Sequence, residues 1–193
     1  SNVTSMNSMF YRVEKFNSDI GNWYVSNVTD MDGMFSFSEN FNQYIGKWDV
    51  SNVTSMFKFF IGASSFNQDI SNWDTSNVTD MRFMFCDAEK FNQDINSWDV
   101  SNVTNMSSIF ANTKKFNQNI SSWNVSNVNN MIYLFCDSPF NGDVSNWNVS
   151  NVIKMNYLFR NTKFNGNLSK WDLSNCKNID YMYFTFRDLR VFY

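Results

Sequence analysis

The chain has 193 residues, a net charge of −3 at pH 7, no histidine and six glycines. Aromatic residues make up 19% of it and charged residues only 17%. Disordered chains are poor in aromatic residues, so we expect a folded protein with a dense apolar core. No run of lysine or arginine is present to neutralise phosphates, which argues against nucleic-acid binding. No apolar run approaches the ~20 residues of a membrane span, which argues against direct membrane insertion of this segment.

The composition also argues against catalysis. Without histidine there is no His-based triad, no imidazole metal ligand and no histidine general base. Neither of the glycine motifs that bind phosphates occurs among the six glycines. The aspartates are too sparse to supply the roughly six to eight oxygens of a Ca²⁺ site. The sequence therefore predicts a protein that is not an enzyme and has no cofactor and no metal site.

A tandem repeat organises the chain. Tryptophan recurs at a spacing of 25 residues and then of 24, and phenylalanine, asparagine and methionine recur in register with it. A period of about 20–29 residues is typical of leucine-rich repeats, whose single units cannot fold alone and must stack. We predict one domain over residues 1–193, with a half repeat over 1–15, seven repeats over about 16–181, and a degenerate terminal repeat or cap over about 182–193. The tryptophans are Trp23, Trp48, Trp73, Trp98, Trp123, Trp147 and Trp171.

Each repeat is predicted to begin with a short strand. Around Trp73 the pattern alternates with a period of two, so that Trp73 and Thr75 share one side while Asn72, Asp74 and Ser76 share the other. Such alternation is typical of a strand with one buried face. We therefore expect the tryptophans to be core residues. Solvent-facing tryptophans would instead favour sugar binding, and quenching of tryptophan fluorescence would separate the two.

A helix is predicted to follow the strand. Met81, Met84, Phe85 and Ala88 recur at the spacing of one helical face, and Thr79 precedes them in the position of an N-cap. The predicted fold class is therefore α/β, a leucine-rich-repeat solenoid with one short parallel strand and one short helix in each repeat of about 25 residues. The asparagine that follows the first phenylalanine of each repeat is predicted to be structural, because its amide can satisfy backbone groups in a loop.

Polar residues alternate with the tryptophan along the predicted strand. In repeat proteins the extended concave face is the usual binding surface, so we hypothesise that one polar column contacts a protein partner. A solvated face without a partner remains the alternative. The column consists of Tyr24, Asp49, Asp74, Asp99, Asn124, Asn148 and Asp172.

The segment 66–85, FNQDISNWDTSNVTDMRFMF, and its copies resemble the BspA-like leucine-rich-repeat surface proteins. The closest branch is the tandem repeat of unknown function found in many mycoplasma lipoproteins. The resemblance covers nearly the whole chain, and W-D-V-S-N-V-T-x-M repeated at 25 residues is its signature. It implies a right-handed leucine-rich-repeat solenoid at the cell surface or outside the cell. It also implies adhesion or binding to a host protein, without catalytic residues.

The sequence therefore predicts a non-catalytic surface protein that recognises an extracellular or host protein, and other copies of itself or a larger surface assembly are further partners to consider. A structural spacer or stalk is the second interpretation. Carbohydrate binding and ice binding are weaker ones, the latter because the threonine column fails at Asn129 and Ile153. Cys86 and Cys136 lie two repeats apart, about 10 Å at one strand spacing per repeat, so both are predicted to be free thiols.

Overall fold

The computed structural model describes residues 2–177, so the predicted terminal repeat or cap over 182–193 lies outside the described residues. Each repeat makes one circuit of the chain, and hydrogen bonds between residues about 25 positions apart join each circuit to the next. We call these circuits layers 1 to 7. Their bounds are 2–25, 26–50, 51–75, 76–100, 101–125, 126–149 and 150–173.

The predicted helix is wrong, because no helix forms anywhere in residues 2–177. In layer 3 the segment 56–63 is a run of tandem turns instead. Every second backbone N–H group donates its hydrogen bond to the next layer. That of Lys58, for example, donates to the carbonyl of Arg82 at 2.9 Å. The N–H groups between them close tight turns, as that of Phe59 does on the Met56 carbonyl at 3.2 Å. A helix needs every N–H to donate four residues back, and here half of them bond to the next layer.

The backbone angles agree with tandem turns. Lys58 and Gly62 have φ angles of 57° and 67°, in the left-handed region that a type II turn requires at its third residue. The two positions recur as left-handed residues in the other layers. The apolar spacing could not reveal this, because Met56, Phe59 and Phe60 would face the core in a helix and also do so in this run of turns.

The predicted strand is wrong as well. Within residues 2–177 the β-structure consists only of parallel bridges of one residue per layer, and none involves the tryptophan segment. That segment keeps the predicted alternation, with Trp73 and Thr75 buried and Asn72 and Asp74 exposed. The bridges join Ser5 to Asp30, Asp30 to Ser55, Ser55 to Asp80, Asn105 to Asn130, and Asn130 to Lys154.

Hydrogen bonds from side chains join the layers where a sheet would have backbone hydrogen bonds between strands. The Oδ1 atom of Asn67 in layer 3 accepts a hydrogen bond from the backbone N–H of Asn92 at 2.8 Å, and the equivalent asparagines of layers 1, 2, 4, 5 and 6 do the same. This confirms the structural role predicted for that asparagine. Thr79 does not cap a helix, because its N–H and Oγ1 both donate to the Thr54 carbonyl of the layer before. The predicted α/β leucine-rich-repeat solenoid is therefore corrected to a stack of turn-rich layers.

The core is a continuous stack of phenylalanine rings. Within layer 4, Phe85 and Phe91 lie face to face with ring centroids 3.8 Å apart. Between layers the rings continue parallel, with Phe85 at 5.6 Å from Phe60 and at 5.8 Å from Phe110. Stacked aromatic pairs are favourable beyond the area they bury, so each layer stabilises both of its neighbours.

Candidate functional site

The tryptophan column lies in the core. The six tryptophans of layers 2 to 7 are between 3% and 8% exposed, and Trp23 in layer 1 is half-buried. Trp73 stacks on Trp98 with ring centroids 6.1 Å apart, and its Nε1 donates to the carbonyl of Ile45 in the layer before at 3.2 Å. The same bond recurs for every tryptophan of layers 2 to 7. These six rings therefore have no open face for a sugar.

The proposed contact column is exposed along the whole stack. Its members alternate with the buried tryptophans, and the next polar column, from Asn22 to Lys170, is exposed beside it. We call these two columns the polar face. Tyr24, at the N-terminal end, is 86% exposed, and a cavity of about 510 Å³ lies beside it, with Lys47 and Asp49 in its lining. The exposed members of the contact column are Tyr24, Asp49, Asp74, Asp99, Asn124, Asn148 and Asp172.

Most of these side chains also accept a hydrogen bond from the backbone N–H two residues later in the chain. The Oδ1 atom of Asp74 accepts hydrogen bonds from the hydroxyl of Ser76 at 2.6 Å and from its N–H at 3.0 Å. These two bonds favour the ionised carboxylate and lower the pKa of Asp74. The backbone N–H and hydroxyl of Ser174 lower the pKa of Asp172 in the same way. One carboxylate oxygen of Asp74 is therefore committed to the turn, while the other has no partner among the described residues.

The polar face is not the predicted concave sheet, because no strand lies behind it in residues 2–177. A second asparagine ladder runs beside it instead. The Nδ2 atom of Asn77 donates to the Ser51 carbonyl at 2.7 Å, and the equivalent asparagines of layers 3, 5, 6 and 7 make the same bond to the layer before. The Asx residues of the contact column therefore lie on a stack of turns that side-chain hydrogen bonds hold in place.

The sequence reasoning missed a second surface, on the side of the tandem turns. The apolar spacing predicts a helix for the residues that project there, and a helix does not gather them into one surface. A signal was available: one column reads Asn7, Asp32, Phe57, Arg82, Ser107, Ile132 and Asn156, far more varied than the core columns. We call the surface that these residues and their neighbours in the tandem turns form the turn face.

Asp32 is the most unusual group of the turn face. Its Oδ1 atom accepts hydrogen bonds from the Ser55 hydroxyl and the Phe57 N–H, yet partial burial raises the pKa of Asp32, and nearby Asp30 adds to the rise. Beside it a cavity of about 330 Å³ opens where Gly33 carries no side chain. The cavity is lined by Asn7, Ser8, Tyr11, Asp32, Gly33, Ser36, Phe57 and Lys58.

The described residues contain no cluster of three or more His, Cys, Asp or Glu side chains placed to hold a metal ion. All three cysteines are free thiols. Burial raises the pKa of Cys86, and burial together with Asp137 raises the pKa of Cys136 to about 12. A thiol with a raised pKa is a poor nucleophile. No helix among the described residues is both long and apolar enough to span a membrane.

The chain was compared with protein-family models, curated proteins and solved structures. The family model described as "Mycoplasma protein of unknown function, DUF285" matches it over residues 1–96, 39–139 and 87–190. The chain belongs to this family. The three overlapping matches follow the tandem repeat and cover nearly all of the sequence. No curated protein and no solved structure is significantly similar to the chain. The resemblance to BspA-like leucine-rich-repeat proteins stays a prediction.

Proposed function

We propose that this member of the DUF285 family is a non-catalytic protein of the cell surface that recognises an extracellular or host protein through its polar face. The observation that carries the proposal is the contact column itself, seven exposed side chains in one register from Tyr24 to Asp172. The column supports recognition because the stack repeats the same kind of contact group once per layer. A partner can therefore gain affinity by contacting several layers at once.

The contact groups are positioned before binding. The serine two residues after each Asx side chain fixes one of its oxygens, as Ser76 does for Asp74. Ordering side chains at an interface costs about 0.5–1.5 kcal/mol for each flexible group, and groups that are already fixed avoid much of this cost. The second oxygen of each aspartate is left for a partner.

Tyr24 is the strongest single anchor on the polar face. It is 86% exposed and lies beside the cavity of about 510 Å³ whose lining includes Lys47 and Asp49. Tyrosine is enriched among the residues that contribute most to protein interfaces. We therefore expect the partner to insert an apolar group beside Tyr24 and to place donors along the aspartates of layers 2 to 4.

The test is binding of the labelled chain to intact host cells and to immobilised extracellular-matrix protein. The variant Asp49→Asn/Asp74→Asn/Asp99→Asn keeps each Oδ1 acceptor, as Asn124 and Asn148 do naturally, and removes three charges. The matched control is Asp69→Asn/Asp94→Asn/Asp143→Asn, which removes three charges from turns outside the contact column.

We expect saturable binding that weakens at least tenfold in the contact-column variant and in Tyr24→Ala, and that is unchanged in the control. Equal binding by both triple variants and by Tyr24→Ala would place recognition elsewhere. If no saturable binding is found up to high micromolar concentration, the recognition proposal is wrong.

A structural spacer within a larger surface assembly is the second candidate. The observation that favours it is that the Asx residues of the contact column each cap a turn, which is reason enough for an Asp or Asn in each of layers 2 to 7. The spacer interpretation predicts no binding to host material, and the chain would be found within a larger isolated surface assembly. Antibody labelling of intact cells of the source organism tests the surface location that both candidates require.

A further inference from the structure

The turn face is rich in the aromatic and cationic residues that are typical of protein interfaces. Interfaces are enriched in tyrosine, phenylalanine and arginine and depleted in serine and aspartate. The turn face exposes Tyr11 by 47% and Tyr133 by 36%. Its other aromatic and cationic members are half-buried or exposed: Arg12, Phe37, Phe57, Lys58, Arg82, Phe83, Tyr157 and Arg160.

These side chains form ordered groups. Phe57 and Phe83 meet edge to face with centroids 6.1 Å apart, and the Lys58 ammonium and the Arg82 guanidinium each lie 4.8 Å from the Phe57 ring. Tyr133 and its equivalent in the next layer stack at 4.8 Å. Cation–π contacts and ring pairs limit the motion of the side chains, so the turn face is an ordered aromatic surface open to solvent.

The backbone conformation does not favour a large side chain at two of these positions. Phe83 and Tyr133 have φ angles of 60° and 58°, and Gly33 occupies the same position in layer 2 with a φ of 58°. The left-handed conformation costs an ordinary L-residue roughly 1–2 kcal/mol. Glycine would avoid that cost, so the large rings are retained against local backbone preference, as is common at functional surfaces.

Charge is distributed unevenly along the stack. Residues 2–100 carry 13 acidic and 6 basic side chains, whereas residues 101–177 carry 3 acidic and 7 basic ones. On the turn face, layer 1 carries Arg12, layer 2 Asp30 and Asp32, layer 3 Lys58, layer 4 Asp80 and Asp87 with Arg82, layer 5 Lys114, layer 6 Asp137, and layer 7 Lys154 and Arg160. The net charge of these groups is therefore negative in layers 2, 4 and 6 and positive in layers 3, 5 and 7. The centres of layers 2 and 7 lie roughly 24 Å apart at one strand spacing per layer. That exceeds the Debye length of about 8 Å, so each end acts on a partner separately.

We propose that two copies of this chain associate turn face to turn face, antiparallel about a two-fold axis between layers 4 and 5. This arrangement places layer 2 of one copy against layer 7 of the other, so the acids of one face the cations of its partner. Phe57 in layer 3 then lies against Tyr133 in layer 6 of the second copy. A parallel pair would instead place acidic layers against acidic layers. Closed two-fold dimers with one self-complementary patch are the commonest protein assemblies.

The cavity at Gly33 gives this pairing a specific contact. Asp32 lines it, and one of its carboxylate oxygens has no hydrogen bond from the described residues. Arg160 of the second copy lies in the layer opposite and is exposed. Its guanidinium can enter the cavity and bind the free oxygen, as arginine does with carboxylates at interfaces.

Sedimentation equilibrium and light scattering of the chain from about 1 μM to 1 mM test the association. We expect a monomer–dimer equilibrium whose dissociation constant rises with salt concentration. The variant Arg160→Glu should raise it at least tenfold, while Lys163→Glu, with the same charge change in the same layer but outside the turn face, should not. Phe83→Ser/Tyr133→Ser should also weaken the dimer, and serine is tolerated at that position because Ser108 has a φ of 57° there. A chain that is still monomeric at 1 mM overturns the proposal.

Orientation is tested by cross-linking single introduced cysteines under mild oxidation. Ser107→Cys lies in layer 5, next to the proposed axis, and should form a dimer disulfide. Asn7→Cys lies in layer 1 and should not, because its two copies would be roughly 34 Å apart along the stack. Circular dichroism and the melting temperature show that each variant is folded. Equal cross-linking of the two variants would rule out the antiparallel arrangement.

Discussion

Replacing Ser108 by glycine distinguishes tandem turns from the helix that the sequence predicts. Ser108 is 5% exposed and has a φ of 57°, whereas Ser107, beside it, is not left-handed. In the stack, Ser108→Gly relieves a left-handed residue, worth roughly 1–2 kcal/mol. It also adds freedom to the unfolded chain, which costs about 0.5–1 kcal/mol. We therefore expect a net stabilisation of about 0.5–1 kcal/mol.

The control is Ser107→Gly, which adds the same freedom without relieving a left-handed residue. It should lower the free energy of unfolding by about 0.5–1 kcal/mol, so the two variants should differ in stability by roughly 1–2 kcal/mol. Urea denaturation followed by tryptophan fluorescence measures the difference. In a helix both substitutions would destabilise by a similar amount, roughly 0.5 kcal/mol, so equal destabilisation would refute the tandem turns.

Three further predictions concern the core and the carboxylates. Phe85→Ala should lower the free energy of unfolding by about 3–5 kcal/mol, because the ring is fully buried between two layers. Tyr24→Ala, measured in the same denaturation series, should change it by less than about 0.5 kcal/mol. The pKa of Asp74 is lowered in the folded state, so its stabilisation is complete above the unfolded value of about 3.9 and is lost as the pH falls below it. Asp74→Asn should flatten that part of a melting-temperature profile recorded from pH 2 to 7. The pKa of Asp32 is raised in the folded state, so protonation stabilises the fold, and Asp32→Asn should melt no lower than the unmodified chain at pH 7.

The sequence predicted which residues are buried better than it predicted the backbone that buries them. Trp73, Phe85 and Met81 are all buried. An apolar residue that recurs in every layer packs against its equivalents in the layers on either side, so the repeat itself predicts its burial. The alternation around Trp73 predicts a strand, yet the N–H of Asn67 bonds to an asparagine side chain of the layer before, and that of Trp73 to the Ile70 carbonyl in its own layer. Short-range spacing cannot show where an N–H donates its hydrogen bond.

The sequence predicted the polar face but not the turn face. Alternation with the tryptophans predicted that Asp49 and Asp74 would be exposed, and both are. The repeat register aligns Phe83 with Tyr133, but it could not show that the neighbouring column of Phe57 meets them at one surface, because adjacent residues of a helix point in different directions. Their grouping depends on left-handed residues, which no composition or spacing reveals when the residue is not glycine.

By itself, the sequence determined the period, the register and the apolar columns of this protein, since a repeat of 25 residues requires equivalent side chains to fall in equivalent places. Only the tertiary structure decided the path of the backbone within each layer. The physical reason is that a stack offers each layer hydrogen-bond partners above and below it. In a lone helix the backbone N–H groups would donate to carbonyls of the same helix. Here half of those in the tandem turns donate to the next layer instead, and this arrangement produces the turn face.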